Sequence, residues 1–485
     1  MMNEAVNKAK LDVNLTKNQE ECINSKATDL LIKGIAGSGK TLVLLKKAIK
    51  LKRDAIKNNK KLTIGFFTYA NTLTKYSQDL INEIENDQDM ISVNTFHSYG
   101  FTLLKCINST KYSSAIYGKF KDEKLKSSIK EIKSIYPKAN VLDKDLNFWT
   151  EEISWIKGKR ITDKDTYINA SRIGRGTSVR LFKKDKEIVF KVFEKYNSKL
   201  KQSKRIDFDD VANLVLDNFN NVPDNKKFDY VLVDEGQDLS YAQLLVLRKL
   251  AKKSIVIAAD HAQKIYTNSF TWKELGINVK GNASKSLGKN FRSTAEIMDL
   301  ANSLIVHNKS NKGKDTDFDI SKDVDKSGNK PIIYKCNNIV QENEVLIELL
   351  KELNDGETVI GIPVRTNQKV KKSVIKVLDE NNIEWEEVSK DKYAPWSILE
   401  PGVKIVTMHS AKGLEFDVII IPRVNDGMIP KVEKDEYDEA LLEQERSLLY
   451  VAMTRAKEDL YLLTSKWSKF IEEMDDRLYE LENIN

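Results

Sequence analysis

The octapeptide Gly34-Ile-Ala-Gly-Ser-Gly-Lys40-Thr41 constrains this chain more than any other stretch. It follows an apolar run, Leu30 to Ile35, and opens a segment of helical periodicity, Leu42 to Lys52. A Gly-rich turn between a strand and a helix N-terminus aims backbone N–H groups at one point, the arrangement that cradles phosphate. Gly34, Ala36, Gly37, Ser38 and Gly39 supply that cradle. Lys40 is placed to neutralise β- and γ-phosphate charge, and the Thr41 hydroxyl to ligate Mg²⁺. The strand–loop–helix order commits this region to an α/β fold.

A phosphate loop needs acids at a second strand end to hold the magnesium and poise water. Val231-Leu-Val-Asp234-Glu235 delivers two adjacent carboxylates after three strand residues. Asp234 is expected to hold Mg²⁺ through water, with Glu235 deprotonating the attacking water. Two acids after a strand can simply cap a helix; beside a phosphate loop they point to nucleoside triphosphate hydrolysis.

Further β-rich runs recur at Leu62 to Thr68, Tyr230 to Val233, Ile255 to Ala259, Val359 to Pro363, Lys404 to Met408, Val418 to Pro422 and Leu460 to Thr464, each followed by a turn or helical pattern. They predict parallel sheets flanked by helices, in two clusters: before about residue 280 and after about residue 330. The 485 residues suit roughly three domains. The third is the Lys-rich stretch from Ser98 to Asp207, with helical patterning, Trp149 and Trp155, and an expected hairpin from Thr177 to Phe193. The polar segment Asn308 to Lys330 reads as a loop.

Charge is unevenly distributed. The whole chain carries 79 Lys and Arg against 72 Asp and Glu, a net +7. Phe96 to Lys204 alone holds 21 Lys and 4 Arg against 12 acids, a net +13, so the remainder sums to −6. That asymmetry fits a surface that meets phosphates, though a Lys-rich solvated face would look the same. Cys22, Cys106 and Cys336 lie far apart and only four His are present, which argues against a disulfide framework or a zinc site. With no signal-like N-terminus and no long apolar run, the expectation is a cytosolic protein without a membrane segment.

At Asp234-Glu-Gly-Gln237-Asp238 the sequence resembles the DExQD box of UvrD/Rep/PcrA-type superfamily 1 helicases, and the family's other boxes follow in order. Leu15-Thr-Lys-Asn-Gln19 resembles the Q motif. Phe67-Thr68-Tyr69 and Thr95-Phe-His97-Ser98 are similar to two DNA-touching boxes. Ala259-Asp260-His-Ala-Gln263-Lys-Ile-Tyr266 resembles the third box, Asn290-Phe291-Arg292-Ser293 the NYRS box, and Val359 to Gln368, with Arg365, a strand and turn of the second core. Thr407-Met-His409-Ser-Ala-Lys412-Gly413-Leu-Glu415 and Tyr450 to Ala456 match the fifth and sixth boxes. The resemblance runs from about residue 15 to 465. It implies two RecA-like P-loop domains, residues 1–97 with 205–278 (1A) and 279–485 (2A), with a mainly helical basic insertion, 98–204 (1B), in the first.

The resemblance further implies that ATP is the nucleotide, that Gln19 reads adenine and Phe291 stacks on it, that Glu415 holds the ribose, and that Gln263, Arg292 and Arg455 point at the γ-phosphate. Phe67, Tyr69, Thr95, His97, Tyr266, Trp272 and His409 become the DNA-facing candidates. Several positions depart from the family pattern: Phe291 replaces Tyr, Ala259 replaces Gly, and His261 replaces an acid. The Trp expected two residues past Ile265-Tyr266 is missing, which leaves Phe270 and Trp272 as competing stacking residues. Only Lys390 to Gly402 stands where the family inserts its 2B domain. No nuclease domain is expected after the sixth box, and an acidic helix is expected from Trp467 to Asn485.

The leading reading is an ATP-dependent translocase on single-stranded DNA, 3′ to 5′ as in the family, that separates a duplex at an ss/ds junction. A second is a DNA-stimulated ATPase serving a separate nuclease, as in Gabija-type anti-phage systems. A third is an RNA-directed enzyme.

Overall fold

The computed structural model describes residues 14–484 apart from 69–73, 75–76, 79–89, 108–113, 117, 171–180, 261–271, 273, 278–280, 309–322, 325, 366–367, 389–399 and 432–438. The first core is a six-stranded, wholly parallel sheet. Its strands are β1 (Asp29–Gly34), β2 (Ile64–Thr68), β3 (Ile91–Thr95), β6 (Phe228–Val233), β7 (Ala251–Ala259) and β8 (Ser284–Leu287), in the order β3-β2-β6-β7-β1-β8. Two apolar layers cover it, one on each face. The intervening β4 (Ser114–Ile116) and β5 (Arg205–Asp207) pair with each other where the insertion leaves and rejoins this core.

The second core is a seven-stranded parallel sheet. After the short pair β9 (Lys289–Asn290) and β10 (Asp323–Val324) come β11 (Ile332–Lys335), β12 (Val359–Val364), β13 (Trp385–Glu387), β14 (Gly402–Thr407), β15 (Phe416–Ile421), β16 (Ala456–Thr464) and β17 (Glu480–Asn483). Their order is β13-β14-β12-β15-β16-β11-β17. Strands buried on both faces read as near-continuous apolar runs, which is why β12 and β15 stood out in the sequence.

Three expectations are corrected. Lys183–Gln202 is one 20-residue helix, not half of a hairpin. Val189, Val192, Phe193, Tyr196 and Leu200 recur at three- and four-residue spacing and pack with Trp149 and Tyr167. The C-terminal stretch is a short helix, Lys469–Glu473, followed by β17, which satisfies the free backbone edge of β11. Finally, β8 pairs with β1, so the first core extends past residue 278 to Leu287.

β13 and β14 are adjacent parallel strands only 14 residues apart in sequence. The segment expected in place of 2B lies largely outside the described residues, as does most of the loop from Asn308 to Lys330.

Candidate nucleotide site

In the first core, the loop and acids expected to carry chemistry lie at the carboxyl edge of the sheet. β1 runs into the phosphate loop, β6 into Asp234 and Glu235, and β7 into Asp260, because neighbouring parallel strands in register deliver their ends together. The Thr41 hydroxyl donates to Asp234 Oδ2 at 2.6 Å, which brings together the two residues assigned to magnesium. Lys40 Nζ donates to the carbonyls of Gly34 (2.9 Å) and Ile35 (2.8 Å) and pairs with Asp260 at 3.2 Å. Ser38 Oγ is buried without a hydrogen-bond partner. A Cβ on Gly34 would sit 2.6 Å from that oxygen and 2.7 Å from Lys40 Cγ, so the loop closes this tightly only with glycine there.

Asp234 and Glu235 have opposite electrostatics. Burial and the neighbouring Glu235 carboxylate raise the Asp234 pKa. Burial also acts to raise that of Glu235, but Lys412, Lys40 and Arg455 outweigh it and hold the group ionised. Glu235 has φ +52, a left-handed conformation rare for a side-chain-bearing residue. Gln237 Nε2 donates to Glu235 Oε2, and Gln237 Oε1 accepts the Asp260 N–H at 2.9 Å.

Beside the loop lies a cleft of about 390 Å³ lined by Gln19, Ser38, Lys289 and Phe291, among others. Gln19 stands in the N-terminal capping box of helix Lys17–Asn24, accepting the Thr16 N–H, while its Nε2 donates to Ser38 O at 3.1 Å. The amide is thereby oriented against the phosphate loop. The Phe291 ring is 42% exposed at the cleft, with Lys289 Nζ 5.6 Å from its centroid. An aromatic ring open to a cleft offers a stacking surface.

The second core reaches the same edge. Arg292 binds Glu415 through Nε (2.9 Å) and Nη2 (2.7 Å) and donates to Thr454 O. Arg455 is wholly buried; its Nε donates to Val451 O and Nη2 to the Thr454 hydroxyl. Burial and the adjacent Arg292 press its pKa down. The sequence reading assigned nothing to Lys412, yet its ammonium lies 2.6 Å from Asp238 and 3.5 Å from Glu235. Only its place in the fifth box hinted at this, and no local pattern names its partners.

The DNA-facing candidates fare unevenly. Phe67 is corrected to a core residue: its ring is fully buried against Tyr99 and Phe228. Thr95 caps the helix Phe96–Ile107 by accepting the Ser98 N–H. His97 is half-buried against Phe96 and Phe208, and burial lowers its pKa. Trp272 packs over Gly236 beside the acidic pair, and His409 is half-buried after β14. Tyr69, Gln263 and Tyr266, with the competing Phe270, lie outside the described residues.

Comparison with known proteins agrees with this geometry. Residues 15–270 match the UvrD/REP helicase N-terminal domain, and residues 286–394 and 389–467 the UvrD-like helicase C-terminal domain. An ATP-dependent DNA helicase PcrA from Leuconostoc citreum is 28% identical over 61% of this chain and 39% of its own. The PcrA of Staphylococcus epidermidis is 26% identical over 62% of this chain and 41% of its own, and a probable DNA helicase II homolog from Mycoplasma capricolum 25% over 66% and 44%. The match therefore spans well under half the length of these relatives. Two α/β cores facing one nucleotide edge, with both domain models matched in order, place the chain in the UvrD/REP helicase family.

Proposed function

We propose that this chain is an ATP-driven motor on single-stranded DNA, moving 3′ to 5′ and separating duplex ahead of it. The observation that carries the reading is that both cores supply charged groups to one cleft: Lys40, Asp234 and Glu235 from the first, and Lys412, Arg292 and Arg455 from the second.

In this reading ATP stacks on Phe291 with its adenine edge read by Gln19, and the phosphates meet Lys40 and the N–H groups of the loop. The Asp234–Thr41 pair and the orphan Ser38 hydroxyl fit a hydrated Mg²⁺ beside the phosphates. That ion, when bound, offsets β/γ-phosphate charge. Glu235, held ionised, takes the proton from the attacking water. Arg292 and Arg455 stabilise charge on the transferring phosphoryl when the cores align, so hydrolysis is tied to domain movement.

The test is ATPase activity with and without oligo(dT), combined with streptavidin displacement from DNA biotinylated at either end. Strong stimulation with displacement from the 5′ end alone is expected. Arg455→Ala should lower kcat more than ATP affinity. Activity indifferent to DNA would sink the reading.

A second reading, a DNA-stimulated ATPase working with a separate nuclease, is favoured by the direct adjacency of β13 and β14, which leaves 14 residues where the family carries a domain. Stimulated ATPase without displacement or unwinding would select it.

A further inference from the structure

The crossover from the first core to the second passes directly over the phosphate loop, and four consecutive residues divide their bonds between the two cores. Asn290 Nδ2 donates to Ala36 O at 2.9 Å, and the Phe291 N–H donates to Gly37 O at 2.9 Å. Both bonds go to the loop. Arg292 then grips Glu415, and the Ser293 hydroxyl donates to Ala456 O at 2.6 Å, so these two belong to the second core.

The Asn290 side chain joins the halves. While Nδ2 holds Ala36, Oδ1 accepts the N–H groups of Arg292 (2.7 Å) and Ser293 (3.0 Å). Asn290 is 1% exposed, so breaking one of these bonds leaves a buried polar group out of reach of bulk water and is costly. Gly37, at φ +68, makes room: a Cβ there would lie 2.6–2.7 Å from the carboxamide atoms of Asn290.

We propose that Asn290 is a positioning residue, a latch by which the phosphate loop sets the direction of Arg292. The role rests on the ATP-hydrolysis reading above. Arg292 acts on charge that develops in the transition state, whereas ATP binding is carried by Lys40, Gln19, Phe291 and the loop N–H groups. Loosening the latch therefore lowers kcat and leaves KM nearly unchanged.

Asn290→Asp separates the two halves. The carboxylate still accepts from the Arg292 and Ser293 N–H groups but sets an acceptor against Ala36 O. Asn290→Ala removes both halves. In the full chain with saturating oligo(dT), we expect both variants to lose tenfold or more in kcat, since small misplacement of an aimed group is costly, with KM within about threefold. Hydrogen–deuterium exchange of the peptide spanning residues 34–41 should accelerate several-fold in both, and thermal melting reports whether each is folded. Wild-type kcat and exchange in Asn290→Asp would overturn the latch, leaving only a local turn cap. A loss confined to KM would also overturn it, because that is the signature of ATP repelled by a new carboxylate. An inert wild-type protein would remove the hydrolysis reading and leave exchange to decide: accelerated exchange keeps the latch, and unchanged exchange rejects it.

Discussion

Replacing Glu235 with Gln separates chemistry from binding at this site. The carboxamide keeps the size of the side chain and an oxygen for Gln237 Nε2, and it carries the same backbone at φ +52. Lys412 loses a neighbour at 3.5 Å but keeps Asp238 at 2.6 Å, so the contact between the cores survives. Lys40, Lys412 and Arg455 then face one less negative charge, which favours an anionic nucleotide. ATP affinity should therefore hold or tighten. Loss of a positioned general base costs about 10²- to 10⁴-fold in rate, or about 2.7–5.4 kcal/mol of barrier at 1.36 kcal/mol per decade. Phosphate release with oligo(dT) and titration of a fluorescent ATP analogue measure the two quantities separately. A rate within tenfold of wild type, or an affinity loss that accounts for the rate loss, would refute Glu235 as the base.

Further outcomes are expected elsewhere. Lys157 is wholly buried between Asp207 (2.8 Å) and Asp210 (2.6 Å), which hold its charge against burial. Lys157→Ala strands two carboxylates and should destabilise the insertion by about 3–5 kcal/mol; urea unfolding followed through Trp149 and Trp155 reads this, and adding Asp207→Asn and Asp210→Asn should recover part of it. In the basic helix Lys183–Gln202, Lys183 and Lys184 are exposed, whereas Lys186 donates to the carbonyls of Ile168 and Ala170 and is structural. Reversing only Lys183 and Lys184 to Glu should flatten the slope of log affinity for single-stranded DNA against log salt by about 1.4, at about 0.7 per lost phosphate contact; an unchanged slope in fluorescence anisotropy would clear this face of DNA contact. Burial pushes the thiols of Cys22 and Cys336 up to about 11, while Cys106 is exposed. A thiol reagent at pH 8 should therefore modify one cysteine quickly and the other two only on unfolding, because their thiolates form only as pH rises toward 11.

Local signals were legible in the sequence and long-range geometry was not. The phosphate loop lies within one strand–turn–helix and the acidic pair ends a strand, so Thr41 and Asp234 could each be named from local motifs, while their 2.6 Å contact is set by the sheet. Phe67 misled because a strand buried on both faces leaves no outward side, so an aromatic in a DNA-touching box still becomes core. The hairpin expected from Thr177 to Phe193 overlooked a stronger signal, the helical spacing from Val189 to Leu200. β17 has no apolar alternation of its own and is a strand because β11 offers an open edge. Lys412 escaped notice for the same kind of reason: its partners, more than 170 residues earlier, are set by how the two sheets face each other.

Three cations in the cleft are paired with carboxylates, and that bears on what a bound nucleotide does to the contact between the cores. Lys40 is paired with Asp260, Arg292 with Glu415, and Lys412 with Asp238 and Glu235. A phosphate that draws Lys40 toward itself withdraws the cation from Asp260, which is 3% exposed. A buried carboxylate that loses its cation costs several kcal/mol unless another group replaces it. Asp260 is joined through its own N–H to Gln237, and Gln237 to Glu235, against which Lys412 of the second core rests. Three buried residues, Asp260, Gln237 and Glu235, thus connect Lys40 to a cation on the other domain. Interfaces packed this tightly repack in discrete steps rather than deforming smoothly, so in the proposed motor a change at Lys40 is expected to be felt at the Lys412 contact between the cores.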